Sequence, residues 1–324
     1  TGGAGYIGSH VVRQLAAAGH DIVVFDNLST GYRWAVTAGE LVVGDLADEQ
    51  AIEAVFSQHK FEAVLHFAAN IVVPESVSNP LKYYSNNTRN TLNLLKAVEN
   101  HQVPYMVFSS TAAVYGMPEE TVLTEDLPLA PINPYGASKM MSERMMMDLA
   151  AATSLNYVIL RYFNVAGANP EGLLGQATPE ATHLIKVASE CVTGQREGMS
   201  VFGTDYETRD GTCIRDYIHV EDLAKAHVMA LDYMARGGES QVLNCGYGRG
   251  FTVREVIDVV KAESGVDFPV TETGRRAGDP AALMADNTRI KKVLGWQPDY
   301  DDLNTIVRTA LAWEKIWLQK KAAD

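Results

Sequence analysis

Five short apolar runs, set between helical stretches, fill the first half of the chain, and this alternation leaves few folds open. Residues 21–26, 41–43, 63–67, 103–109 and 157–162 read as strands. Each is too evenly apolar to lie with one face in water. Helical patterns over 9–18, 48–59 and 81–100, and one starting near Tyr135, separate them. Buried strands joined by helices imply an α/β fold, a doubly wound parallel sheet covered on both faces.

Beyond Asn164 the pattern weakens. Gly, Pro and Thr crowd 167–182, which reads as an ordered loop region. Helices are expected at 181–193, 220–235, 253–264 and 303–319. A short strand over 241–245 is expected to return to the first sheet. The 324 residues allow two domains. The expected division is 1–165 for a dinucleotide and 166–324 as a smaller, irregular α/β lobe for substrate.

Apolar content of 47% and charged content of 21% are those of a globular enzyme. A net charge of −13, with no basic stripe, argues against nucleic acid and against anionic membranes. Cys191, Cys213 and Cys245 are far apart, and no CxxC or HExxH occurs. Neither a disulfide framework nor a metal site is expected, and reduced thiols suit a cytoplasmic protein.

The chain starts Thr1-Gly2-Gly3-Ala4-Gly5-Tyr6-Ile7-Gly8, which fits both GxGxxG (Gly3, Gly5, Gly8) and GxxGxxG (Gly2, Gly5, Gly8). Such glycines let backbone N–H groups approach a pyrophosphate at a helix N-terminus. A dinucleotide fold needs an apolar strand before this turn, so about half a dozen residues are expected ahead of Thr1. Asp26 closes the next strand, where a carboxylate bonds a ribose 2′-hydroxyl and repels a 2′-phosphate. Asn27-Leu28-Ser29 follows, without a basic residue, so NAD is favoured over NADP. Asp45 is a second candidate on the same side.

Tyr135 and Lys139 are four apart, on one face of a helix. A phenol near pKa 10 is a poor base at neutral pH, and a neighbouring ammonium is expected to pull it down. The strand over 103–109 runs into Ser110-Thr111. In a doubly wound sheet the carboxyl ends of strands face the ligand crevice, which puts Thr111, Tyr135 and the dinucleotide together. Thr111 can relay a proton or simply cap a helix.

With these features the chain resembles the extended short-chain dehydrogenase/reductase family, and more narrowly its UDP-glucose 4-epimerase branch. The matching segments are TGGAGYIGSH, DNLSTG, FSSTAAVYG, NPYGASK, LRYFNVAGA, GTCIRDYIHVEDLA and RRAGDPA. The resemblance implies a Rossmann fold, tightly held NAD and reversible inversion at C4 of a UDP-hexose, UDP-galactose to UDP-glucose, through a transient 4-keto sugar. It implies that Tyr6 and Ile7 meet the pyrophosphate beside Gly2, Gly5 and Gly8, and that Asp26, Asn27, Leu28, Ser29, Thr30 and Gly31 line the adenosine. Asp45 and Leu46 then approach the adenine, and Phe67, Ala68, Ala69, Asn70, Asn86 and Phe163 complete the cofactor cleft. Tyr135 becomes the acid/base, Lys139 its partner on the nicotinamide ribose, and Thr111 a bridge to the sugar. Asn164, His183, Leu184, Val201, Phe202, Arg215, Arg276, Asp279 and Leu283 become the nucleotide-sugar ligands. A homodimer is also implied, through the helix carrying Tyr135 and the one over 81–100.

Rival chemistries on this fold leave different marks. A dehydratase needs extra acid/base groups after the Ser/Thr, where this chain has Ala112 and Ala113. A non-enzymatic NAD-binding regulator would lack the Tyr or the Lys. Three positions depart from relatives: Ile71 in place of a lysine, His183 in place of an asparagine, and Leu283, intermediate in size where the pocket meets the sugar 2-substituent. UDP-N-acetyl sugars and UDP-uronates therefore stay open as substrates. Met140, Met141, Met145, Met146 and Met147 cannot all face one core, and fit either adaptable filling or a subunit contact.

Overall fold

The computed structural model describes residues 1–276 and 278–323; Ala277, inside the RRAGDPA segment, and Asp324 lie outside them. The elements that place the cleft are α1 (Tyr6–Ala17), β1 (Val23–Asp26), β2 (Glu40–Val43), α2 (Glu49–Gln58), β3 (Ala63–His66), α3 (Asn90–Asn100), β4 (Tyr105–Thr111), α4 (Pro134–Ala152), β5 (Asn156–Tyr162), α5 (Val220–Ala235) and β6 (Gln241–Cys245). All six strands pair in parallel, β2 with β1 and, separately, β3-β4-β5-β6 in that order. The backbone of Thr1 and Gly2 bridges the two sets, bonding to Leu65 and Phe67 on one side and to Phe25 on the other.

Strand alternation divides the interior into two cores. Val107, Val158 and Leu160 face α1 and α5, while Met106, Phe108 and Ile159 face α2, α3 and α4. β6 lies against β5 although it comes late in the chain. Val122–Leu123 makes the opposite exchange and pairs with Ala282–Ala285. That strand belongs to a second sheet built on Ile214–His219, with Gly250–Thr252 and Asn164–Ala166 as further partners. Met199–Phe202 and Val270–Thr273 form a separate parallel pair.

The helix expected over 81–100 runs without a gap as Pro80–Tyr83, a π-helical stretch Tyr84–Arg89 and α3, with Val73–Ser78 as a separate short helix before it. Asn87 lies buried in the π-helical stretch. Its side-chain oxygen accepts from Asn70 N–H at 2.8 Å, and its amide donates to Asn70 O at 2.9 Å and Ser138 Oγ at 3.0 Å. A π-turn aims that buried amide at the loop after β3 and at α4 together. The methionines of α4 serve two cores. Met145, Met146 and Met147 pack beside α3, Met140 packs against Ala112–Tyr115, and Met141 is exposed.

Candidate active site

β1, β3, β4 and β5 all end on one cleft of about 1490 Å³. At one end its wall is the glycine turn. A Cβ on Gly8 would stand 2.3 Å from Gly2 O, and one on Gly2, where φ is +75°, would stand 2.5 Å from Ala68 N. Those glycines are demanded by the protein's own packing. Gly5 differs: a Cβ there would meet only Gly2 O, at 3.4 Å, and would otherwise point into the cleft. Gly5 is also the N-cap of α1, and no side chain caps that end. Asp26 accepts from Ala4 N–H at 2.9 Å and Leu28 N–H at 2.8 Å, tying the turn to the loop after β1. Leu28 takes a left-handed φ of +58° to make that bond, a strained choice for a branched side chain. Asn27 donates to Asp45 at 2.8 Å.

The chemical groups stand in the middle. Asn133 caps α4 by accepting from Gly136 N–H at 2.9 Å, and Pro134 opens the first turn. Tyr135 follows and lines the cleft. Lys139 sits one turn deeper, 3% exposed, donating to Ser109 O at 2.7 Å with its ammonium 4.6 Å from the centre of the Phe108 ring. Thr111 Oγ1 accepts from Ala113 N–H at 3.1 Å, capping the turn Ala112–Tyr115, and its hydroxyl lies by the Tyr135 phenol.

The pKa expectation needs correction. Burial pushes the Tyr135 phenol above its ordinary value, and the Thr111 hydroxyl only partly opposes this. Lys139 pays heavily as well: desolvation lowers it to about 7, against the opposing field of Glu143. Four-residue spacing sets the two groups on one face of α4, and burial dominates at both.

At the far end, Arg215 pairs with Asp279 and also donates to Ile214 O, while Arg276 lies 3.6 Å above the centre of the Phe202 ring. Both guanidinium groups line the cleft with Asn164, His183, Leu184 and Leu283. Gln176 bonds His183 Nδ1 at 2.8 Å, and burial keeps that imidazole below its ordinary pKa. Of the expected cofactor and substrate residues, all but three reach the cleft wall. Val201 turns inward, 2% exposed, because it alternates with Phe202 along Met199–Phe202. Leu28 presents its backbone to Asp26, and Lys139 lies behind Tyr135.

Residues 1–246 match the family model described as the NAD dependent epimerase/dehydratase family. The chain belongs to that family. It is 56% identical over 316 residues to a UDP-glucose 4-epimerase of Azospirillum brasilense, covering 97% of this chain and 91% of that one. A crystal structure of UDP-glucose 4-epimerase from Brucella ovis in complex with NAD superposes with a TM-score of 0.93, at 45% identity, covering 96% and 95% of the two chains. The UDP-Glc/GlcNAc 4-epimerase of Campylobacter jejuni superposes with a TM-score of 0.86, at 52% identity, over 97% and 98%.

The NAD expected of this family fits the chain's own geometry. Gly5 leaves space that no protein atom claims, beside an uncapped helix N-terminus, the arrangement that suits a pyrophosphate. Asp26 uses one bond per carboxylate oxygen and keeps acceptor capacity for a ribose. Sequence reasoning missed Gln176, Asn87, Tyr162 and the buried pair Glu143–Arg161. Only Glu143 carried a local signal, four residues beyond Lys139. Among the described residues no group of acidic, His and Cys side chains could hold a metal ion, and no helix is long and apolar enough to cross a membrane.

Proposed function

We propose that this protein is an isomerase, an NAD-dependent UDP-sugar 4-epimerase that interconverts UDP-galactose and UDP-glucose through a transient 4-keto sugar. One observation carries the reading: the glycine turn, Tyr135 with Thr111, and the two arginines occupy successive stretches of a single cleft. In this reading residues 1–165 hold NAD and 166–324 hold the nucleotide sugar.

Tyr135 takes the proton of the sugar 4-hydroxyl, directly or through Thr111, and later returns it. NAD, when bound, supplies the two-electron acceptor and donor for C4 and a positive ring whose field favours the phenolate. Lys139 backs Tyr135 from one turn deeper, and Arg215 and Arg276 take the diphosphate and uridine end, where planar guanidinium groups suit phosphate oxygens. Ala112 and Ala113 line the cleft without acid/base capacity, which disfavours elimination.

The test is conversion of UDP-galactose to UDP-glucose by purified protein without added NAD. Tyr135→Phe is expected to lower kcat by about 10²–10⁴-fold with bound NAD unchanged. No conversion even with NAD supplied overturns the reading. The same assay with UDP-N-acetylgalactosamine decides the sugar range, since Leu283 packs beside Ala112–Tyr115 and the Campylobacter relative is named for both sugars.

A homodimer is part of the proposal. Val77, Leu81, Leu92 and Met141 are exposed on neighbouring helices around α3 and α4. Light scattering that finds a monomer at micromolar concentration would overturn it. Three buried, unbridged cysteines support work in the reducing cytoplasm.

A further inference from the structure

We propose that Glu143 is a positioning residue for the Tyr135–Lys139 pair, fastening α4 to the ends of β4 and β5 and placing a carboxylate one helical turn beyond Lys139. The proposal rests on reading Tyr135 and Lys139 as the acid/base pair.

Tyr135, Lys139 and Glu143 follow one another at four-residue spacing, so they form one stripe running from the cleft into the protein. Glu143 is 1% exposed, and every bond it makes crosses to the sheet. Its Oε1 accepts from Ser110 Oγ at 2.5 Å and from Arg161 Nε at 3.0 Å, and its Oε2 accepts from Arg161 Nη2 at 2.6 Å. Ser110 and Arg161 are partners in the β4–β5 register. The next residue on each strand, Thr111 and Tyr162, reaches the cleft. One carboxylate thereby sets the helix bearing Tyr135 against the strand bearing Thr111.

The electrostatics point the same way. Arg161 is itself buried, with Nη1 donating to Tyr115 OH at 3.1 Å. Two cations and one carboxylate thus share a dry site, and removing the carboxylate leaves two buried positive charges. On the elements around Lys139 the titratable groups are Tyr135 and Glu143 on its own helix, His66 on β3, Arg161 and Tyr162 on β5, Tyr83, and His227 on α5, which bonds Ser109 Oγ at 2.7 Å. The Lys139 charge holds the His66 imidazole below its ordinary pKa after burial has done most of the work, and Tyr83 and Tyr162 both feel Tyr135. The Glu75–Lys82 pair nearby is exposed and neutralises itself. Among the described residues Glu143 is the anion whose field supports the Lys139 charge.

The experiment titrates Lys139 directly, by ¹³Cε NMR of NAD-loaded protein, with the resonance assigned by its loss in Lys139→Met. Glu143→Gln should move the midpoint down by about one pH unit or more, and Arg161→Gln should move it up. Midpoints within about 0.3 unit of wild type, or two shifts of the same sign, overturn the proposal. If Glu143→Gln does not fold, Glu143→Asp carries the test: it withdraws the charge by one methylene, and an unmoved midpoint overturns the counter-charge role. In assay, kcat should fall in Glu143→Gln and recover in part in Glu143→Asp, with KM for UDP-galactose unchanged. A wild-type protein that does not epimerise would sink the functional reading and leave this titration intact.

Discussion

At the Gly2–Gly8 end of the cleft the wall is backbone, so tightly fitted that a Cβ on Gly8 would stand 2.3 Å from a carbonyl oxygen. At the Arg215–Arg276 end the wall is long side chains on short strands and the loops between them, held by an ion pair and a stacked ring. The first end is specified within eight consecutive residues. The second draws on Asn164, His183, Phe202, Arg215, Arg276 and Leu283, spread over 120 positions and brought together only by the fold. A backbone site tolerates no added atom at Gly2 or Gly8, whereas a side-chain site loses affinity one contact at a time.

The largest effect is therefore expected at the glycine end. Gly8→Ala forces a Cβ against Gly2 O and Gly3 Cα, both backbone, so the turn itself must shift. Overpacking of this kind costs about 1–3 kcal/mol, and here it falls directly on the dinucleotide turn. NAD retained through purification should drop to a small fraction of wild type, read by absorbance after acid release. Retention at the wild-type level would break the idea that this wall is rigid.

Arg276→Leu probes the other end and should behave differently. A lost charge-assisted contact is worth about 1.5–3 kcal/mol, so KM for UDP-galactose should rise about 10- to 100-fold. NAD content and kcat should stay within about twofold, because the contact is made equally in ground and transition states. A matching fall in kcat would mean that Arg276 also orients the reacting sugar.

The same contrast governs how much could be read before the structure. Gly5, Asp26, Tyr135 and Lys139 could be singled out as candidates because their signal lies in neighbours within four residues or in one strand end. The strands Met199–Phe202 and Ile214–His219 were not, since they are short and Ile214–His219 carries Arg215, Asp216 and His219 in its six residues. Without that strand, the alternation that buries Val201 and exposes Phe202 had no frame. The π-helical stretch within 81–100 was equally hidden, because Asn87 there meets Asn70 and Ser138 only across the fold. Spacing placed Tyr135 beside Lys139, yet only three-dimensional burial says that both are pushed toward their neutral forms.

The smallest expected effect lies where the two ends join. Glu221 at the start of α5 accepts from His10 Nδ1 at 2.8 Å and Gln14 Nε2 at 2.6 Å, both on α1, and from Asn169 at 3.0 Å on the far side. Burial alone would raise its carboxyl, but the bonds from His10, Asn169 and Gln14, with the His10 charge, hold it at about 2. A carboxylate lowered this far contributes stability above the ordinary carboxylate range and loses it as pH falls toward 2. The contribution is split between the partners of a coupled pair and is read as a loss of about a few degrees in Tm for a chain of this length. Glu221→Gln should melt below wild type at pH 7, and the two curves should converge as pH drops from about 4.5 to about 2. A gap that stays constant over that range would assign the loss to packing between α1 and α5, and would mean that the glycine helix is joined to the sugar end by shape and not by charge.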